Sequence, residues 1–403
     1  MISIQKDFKT IQLAVYFTDI DDEDTRVYRF LLPKLLISHT NKLINRQMMS
    51  EKLEDLYGAY FNVSAEHMAN LNVISLVMTF VDPKIVNDSQ LLDEALSLFN
   101  DVLFEHEFFS PEIFEEEKRM LIEQWETLKD RKRHYANTRF FEIFFGDDLY
   151  GYPMSGKLKD IKKITVDQLF EYYQKVFLNN MKKVIVNGHL ENNDMAKINN
   201  VLVKDMHKDI PFVTKFRKSR DVKIVKEKTN MKQAIIKIGY HFPIFRNDDL
   251  YHASVLLETI LGGYPDSRLF KEIRERLRLC YDISTNYDYY KGVLMISSGV
   301  ASEKNEIAVE EIKKQVNLMI LHGITEVELV QAKAYFIHQV KSSLDNQSVL
   351  TKRTFIKDLL DDHETIEDKI ISISKVSSKD VETALSQLTL DTIYVLHGGV
   401  KND

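Results

Sequence analysis

The chain has little of what marks a secreted, membrane-spanning or nucleic-acid-binding protein. It carries one cysteine, Cys280, in 403 residues. That excludes an internal disulfide framework and fits a reducing compartment. No apolar run reaches the roughly 18–20 residues needed to cross a bilayer. The opening Met1-Ile-Ser-Ile-Gln-Lys-Asp-Phe-Lys9 lacks the apolar stretch of a secretory leader, so the cytoplasm is the expected location. Positive charge is not in excess, and a net charge of −7 argues against nucleic acid as a partner. A Ser nucleophile elbow and a Walker loop are both absent. Twelve histidines are scattered, and none forms a His-x-x-x-His pair. Only seven prolines and thirteen glycines interrupt the chain, which leaves room for long helices. What remains is an ordinary globular composition, 44% hydrophobic and 10% aromatic.

The pattern along the chain reads as α+β, and it repeats. The first half opens with a strand-like run, Ile11–Phe17, and the acidic stretch Asp21–Asp24 should lead into a helix because anions favour a helix N-terminus. Ser50 is the expected cap of a short helix ending at Tyr57-Gly58. Alternation near Tyr60–Val63 and Leu71–Val81 predicts a hairpin. Ser110-Pro111 opens a long helix, expected to run to about His134 or beyond. Thr165-Val-Asp-Gln168 has the form of a capping box, and Lys183–Val186 reads as a strand.

The second half follows the same order: a strand over Gln233–Phe242, a helix from Asp249, and a short capped helix near Asp266. Alternation through Leu279, Tyr281 and Ile283 returns through Val293–Val300, and helices follow over Ala308–Leu321 and Glu326–Leu344. Ile161-Lys-Lys-Ile-Thr165 matches Ile373-Ser-Lys-Val-Ser377, and a closing strand covers Thr392–Leu396. A repeated order of elements points to two homologous domains. The boundaries expected are 1–207, a linker over 208–230, and 231–403. The polar, basic linker includes Lys215, Arg217, Lys218 and Arg220, most simply a solvated connection, the alternative being a basic patch for an acidic partner.

Two segments carry the functional reading. Phe30-Leu-Leu-Pro33-Lys34 falls on the first helix of the first domain, and Ser267-Arg-Leu-Phe270…Ile273-Arg274…Cys280-Tyr281 follows the Gly262-Gly263 turn in the second. With the repeat, they make the chain resemble the M16 (pitrilysin, or inverzincin) peptidase family over nearly its whole length. The resemblance implies two M16-type (LuxS/MPP-like) α/β sandwich domains. Active members carry His-x-x-Glu-His on a helix, with both histidines on one face binding zinc and the glutamate activating a water. Here Phe30, Pro33 and Lys34 stand at those positions. Phenylalanine cannot ligate, proline cannot act as a base, and a lysine ammonium repels a divalent cation. Glu116 and Glu123 keep the family's seven-residue spacing, and the resemblance makes Glu123 the relic of a third ligand. Taken alone, the same two glutamates belong to a charged helix face.

The family's substrate-handling pair, by contrast, is intact as Arg274 and Tyr281. A guanidinium and a phenol both offer hydrogen-bond donors suited to a peptide carbonyl. Residue by residue, Arg274 could equally be a surface arginine, and Tyr281 a core tyrosine on the face of Leu279 and Ile283. The resemblance implies a non-catalytic, substrate-binding subunit without zinc or independent catalysis. It would pair with a zinc-binding HxxEH partner around a peptide substrate. The alternative is a non-proteolytic scaffolding homologue, and heterodimer and homodimer both stay open.

Overall fold

The computed structural model describes residues 1–203, 210–213 and 220–398. Lys215, Arg217 and Lys218 lie outside the described residues. Mixed helix and strand content is organised as two five-stranded sheets in two compact units. Each unit takes in a stretch from the other half of the sequence. The first comprises Met1–Glu126, Pro153–Val213 and Ser343–His363; the second, Thr127–Tyr152, Thr214–Ser342 and Glu364–Asp403.

The sheet of the first unit is built from β1 (Ile2–Ile4), β2 (Thr10–Ile20), β3 (Tyr60–Met68), β4 (Leu71–Val81) and β5 (Met181–Asn187), in the order β1-β5-β2-β4-β3. β2 is buried at every residue from Ile11 to Thr18, so it reads as a continuous apolar run rather than an alternating one. Both its faces are covered. On one, Leu13, Val15 and Phe17 join a core with Leu31, Leu35, Phe99 and Phe114. On the other lies the Gln347–Leu359 helix, whose Phe355 stacks on Tyr16 with ring centroids 4.0 Å apart. Gln347 Nε2 donates to the carbonyls of Thr10 (2.9 Å) and Asn187 (2.8 Å), and Lys183 pairs with Asp358 at 3.0 Å.

In the second unit, β6 (Lys223–Lys228), β7 (Gln233–His241), β8 (Cys280–Asp288), β9 (Val293–Ala301) and β10 (Thr389–His397) run in the order β6-β10-β7-β9-β8. β6 falls inside the stretch expected as a linker. It pairs in parallel with β10, and Arg220 just before it donates to the carbonyl of Phe144 at 3.1 Å. Arg220 thus satisfies carbonyls at the C-terminal end of the Lys132–Phe145 helix instead of extending into solvent.

That helix covers one face of the second sheet. Phe140 and Phe144 pack there with Ile235, Tyr394 and Leu396, while Ile236, Ile238 and Leu294 face the main core on the other side. Gly239 sits directly beneath the helix. A Cβ there would lie 2.5 Å from Phe140 Cζ and 2.8 Å from two ring carbons of Phe144. Gly239→Ala should therefore cost about 2 kcal/mol by overpacking, measured as a loss of urea midpoint with unchanged slope.

Several boundaries differ from expectation for identifiable reasons. The helix before Tyr57 starts at Arg46, capped by Asn45, which accepts from the amide of Met48 at 2.9 Å; Ser50 is internal. The helix opened by Ser110 stops at Glu126 and resumes only at Lys132. Ser110 does cap it, accepting from the amide of Ile113 at 3.3 Å. Asp21 is buried, paired with Arg26 and Arg29, so it acts within the core and not as a free anion at a helix start.

Candidate functional site

In the first unit the segment at which the resemblance places a metal motif is filled by ion pairs. Phe30, Pro33 and Lys34 all lie on the Arg26–Ser38 helix. Lys34 Nζ is 2.7 Å from Glu117 Oε2 and 5.8 Å from the centre of the Phe30 ring. Arg46, from the next helix, bonds the other oxygen of Glu117 at 2.6 Å and Glu116 at 2.9 Å. The side chain of Glu117 is only 8% exposed, so its carboxylate depends on these two cations. Glu117 was not singled out by the seven-residue spacing, yet it is the carboxylate that reaches Lys34. Glu123 lies on the exposed side of its helix. The helical spacing of Ile113, Phe114 and Leu121 was the available signal, because it places Glu117 on their apolar face, where the structure buries it.

These residues do not fit a zinc ion. The site offers no imidazole, and the ammonium of Lys34 already holds the buried carboxylate that a metal would need. Among the described residues, no group of three or more His, Cys, Asp or Glu side chains is placed to hold a metal.

In the second unit, Arg274 lies on an irregular helical segment, Phe270–Arg276, wound as a π-helix. Its guanidinium sits over the Phe270 ring at 4.5 Å, an i,i+4 contact that orients it while leaving it exposed. Tyr281 enters β8 at a β-bulge. Cys280 pairs with Val300 and Asp282 with Gly299, the next residue back along β9, so Tyr281 is the extra residue. A bulge re-aims the side chain it carries. Tyr281 is 58% exposed, so the core position implied by alternation with Leu279 and Ile283 is not the one it takes.

The bulge is held from two sides. Arg133 grips Asp282 in a two-point pair at 2.8 and 3.0 Å. Gly299 faces them, and a Cβ there would lie 2.4 Å from Asp282 Oδ1. The Arg133 guanidinium and the Gly299 amide lower the Asp282 carboxyl below its usual range, and burial opposes them in part. Neither Arg133 nor Asp282 was expected as part of the site, because they come from distant stretches of sequence.

Glu258 also packs against β8. Its carboxylate accepts from Thr285 Oγ1 at 2.6 Å, and burial pushes its carboxyl up to about 7 against that bond. A carboxyl raised in the folded state stabilises fully below its unfolded value of about 4.5 and loses that contribution as pH rises through about 7. Stability should therefore fall between those limits, and Glu258→Gln should flatten the dependence and raise the urea midpoint at pH 8 relative to wild type.

No helix among the described residues is long and apolar enough to cross a membrane. Residues 163–336 match the family model described as the peptidase M16 inactive domain. The chain is 26% identical over 398 residues to a probable inactive metalloprotease, YmfF, of Bacillus subtilis, covering 97% of this chain and 93% of that one. A crystal structure of a conserved protein from Enterococcus faecalis superposes with a TM-score of 0.91 at 24% identity, over 100% of this chain and 96% of that one. A crystal structure of a peptidase M16 inactive domain from Pseudomonas fluorescens gives 0.82 at 18% identity, with coverage of 100% and 96%. With Lys34 and Arg46 holding Glu117, and with these matches along its length, the chain is similar to inactive homologues of the M16-family peptidases.

Proposed function

We propose that this chain is the non-catalytic, substrate-binding subunit of a heterodimeric M16 zinc metallopeptidase. The zinc-bearing subunit performs hydrolysis, and Arg274 and Tyr281 of this chain hold the backbone of the bound peptide. One observation carries the reading: the bulge in β8 turns Tyr281 outward, seven residues after an exposed Arg274, although the metal position has been converted to ion pairs. A scaffold has no use for a bulge that exposes a tyrosine, whereas donors placed at a peptide carbonyl stabilise the charge that develops on its oxygen. The single half-buried cysteine fits a cytoplasmic complex.

The test mixes the purified chain with a zinc-binding M16 protein from the same genome and follows cleavage of a peptide library. Activity that needs both chains, and that falls when Arg274 or Tyr281 is replaced, supports the role. A stable complex with no cleavage would instead favour scaffolding.

A further inference from the structure

The second unit contains an open cleft of ≈ 640 Å³ beside the start of the Lys132–Phe145 helix and the start of β7. Arg131, Lys132, His134 and Lys232 stand around a floor that includes Gln233 and Ile235, and among the described residues no Asp or Glu lines it. Arg131, Lys132 and Lys232 concentrate positive charge here, in a chain whose net charge is −7. Lys132 bonds only neutral oxygens among its described partners, the Lys129 carbonyl at 2.7 Å and the Thr229 hydroxyl at 3.0 Å, so its charge is not cancelled there. Arg133 also lines the cleft, but Asp282 holds it.

Neighbouring groups register the field. Burial and then the Arg131 charge lower the imidazole of His134. Burial, followed by the Arg133 charge, pushes Lys237 down to about 8, with Asp282 opposing.

The sheet register ties the cleft to the bulge. Ile235 pairs with Gly299, and Gly299 pairs with Asp282, the neighbour of Tyr281. Two strand spacings of about 4.8 Å place Asp282 about 10 Å from the cleft floor, the span of about three residues of extended peptide. We propose that this cleft binds carboxylate side chains of the peptide, about three residues from the segment held by Arg274 and Tyr281. The site thereby selects acidic peptides; its placement along the substrate rests on the role proposed above for that pair.

Fluorescent peptides with amidated C-termini, identical except for two adjacent Glu or two adjacent Gln, are titrated into the full chain at low salt. The Glu peptide should bind at least tenfold more tightly, with the advantage shrinking as salt screens it. The double variant R131E/K232E should abolish the difference, and the charge-altering surface control K379E should keep it. Equal affinity for the two peptides, or an advantage that survives R131E/K232E, would overturn the assignment. A Gln peptide with a free C-terminus that gains the same tenfold would overturn the side-chain assignment in favour of terminal carboxylate capture. Arg274→Ala separates this idea from the subunit role: it should weaken both peptides and leave their ratio unchanged. A Glu preference without any effect of Arg274→Ala would retain the basic cleft and remove the role of the pair.

Discussion

Replacing Lys34 and Arg46 together with methionine should destabilise the chain by about 3 kcal/mol, because it strands a buried carboxylate. Glu117 is 8% exposed, and both its oxygens are taken by these two cations at 2.7 and 2.6 Å. Either single replacement leaves one cation in place and should cost only about 1 kcal/mol. The expected pattern is thus strongly non-additive, as in any cluster sharing one partner. Adding Glu117→Met to the double variant should recover most of the loss, since an apolar trio of similar volume has no charge to desolvate. The measurement is the urea midpoint of the wild type and these four variants. A double variant no weaker than the sum of the singles would mean that Glu117 reaches water by another route. The cycle also bears on the family relationship, because it asks whether the ammonium of Lys34 does electrostatically what a metal cation would do beside the same helix.

The sequence made the repeat legible because strand alternation and helix caps are local signals. Thr165 and Ser377 each head a capping box in the structure, at matching points in the two halves. The Phe30–Lys34 gap was legible for the same reason: ligand chemistry is a property of residue type. Other features depend on long-range packing. Nothing local marks the Gln347–Leu359 helix as the cover of β2, or the Lys132–Phe145 helix as the cover of β7. The small residue at Gly239 is a trace of the second only after Phe140 is known to lie over it. The bulge was hidden for a different reason. Leu279, Tyr281 and Ile283 alternate perfectly, so period-two reasoning puts Tyr281 on the core face, and only the pairing of Cys280 with Val300 and Asp282 with Gly299 reveals the extra residue. Arg46 was missed because a search for ligands does not look for cations.

If the subunit role holds, Tyr281→Phe in the two-chain mixture should lower kcat about a hundredfold with little change in KM, and Arg274→Ala should lower kcat/KM by about a hundredfold or more. The split follows from where each donor acts. A phenol that bonds the carbonyl oxygen most strongly when it carries developing charge contributes chiefly to the transition state, so its loss appears in kcat. The guanidinium also grips the peptide in the ground state, so its loss raises KM as well. Arg274→Lys should recover little, because an ammonium lacks the planar fork and stacks poorly on Phe270, which lies 4.5 Å below the guanidinium. Phe270→Leu should then give a milder fall, about threefold to tenfold, by loosening an arginine that is otherwise unchanged. Arg133→Ala supplies the sharpest check. It touches neither Arg274 nor the phenol in the structure, but it releases Asp282 from its two-point pair and frees the bulge. The resulting enzyme mixture should resemble Tyr281→Phe in kcat while the folded stability of the chain changes by no more than about 1 kcal/mol, since the pair is solvent-exposed. A large loss of stability with unchanged kcat would make the bulge a structural device and leave Tyr281 without a role in turnover.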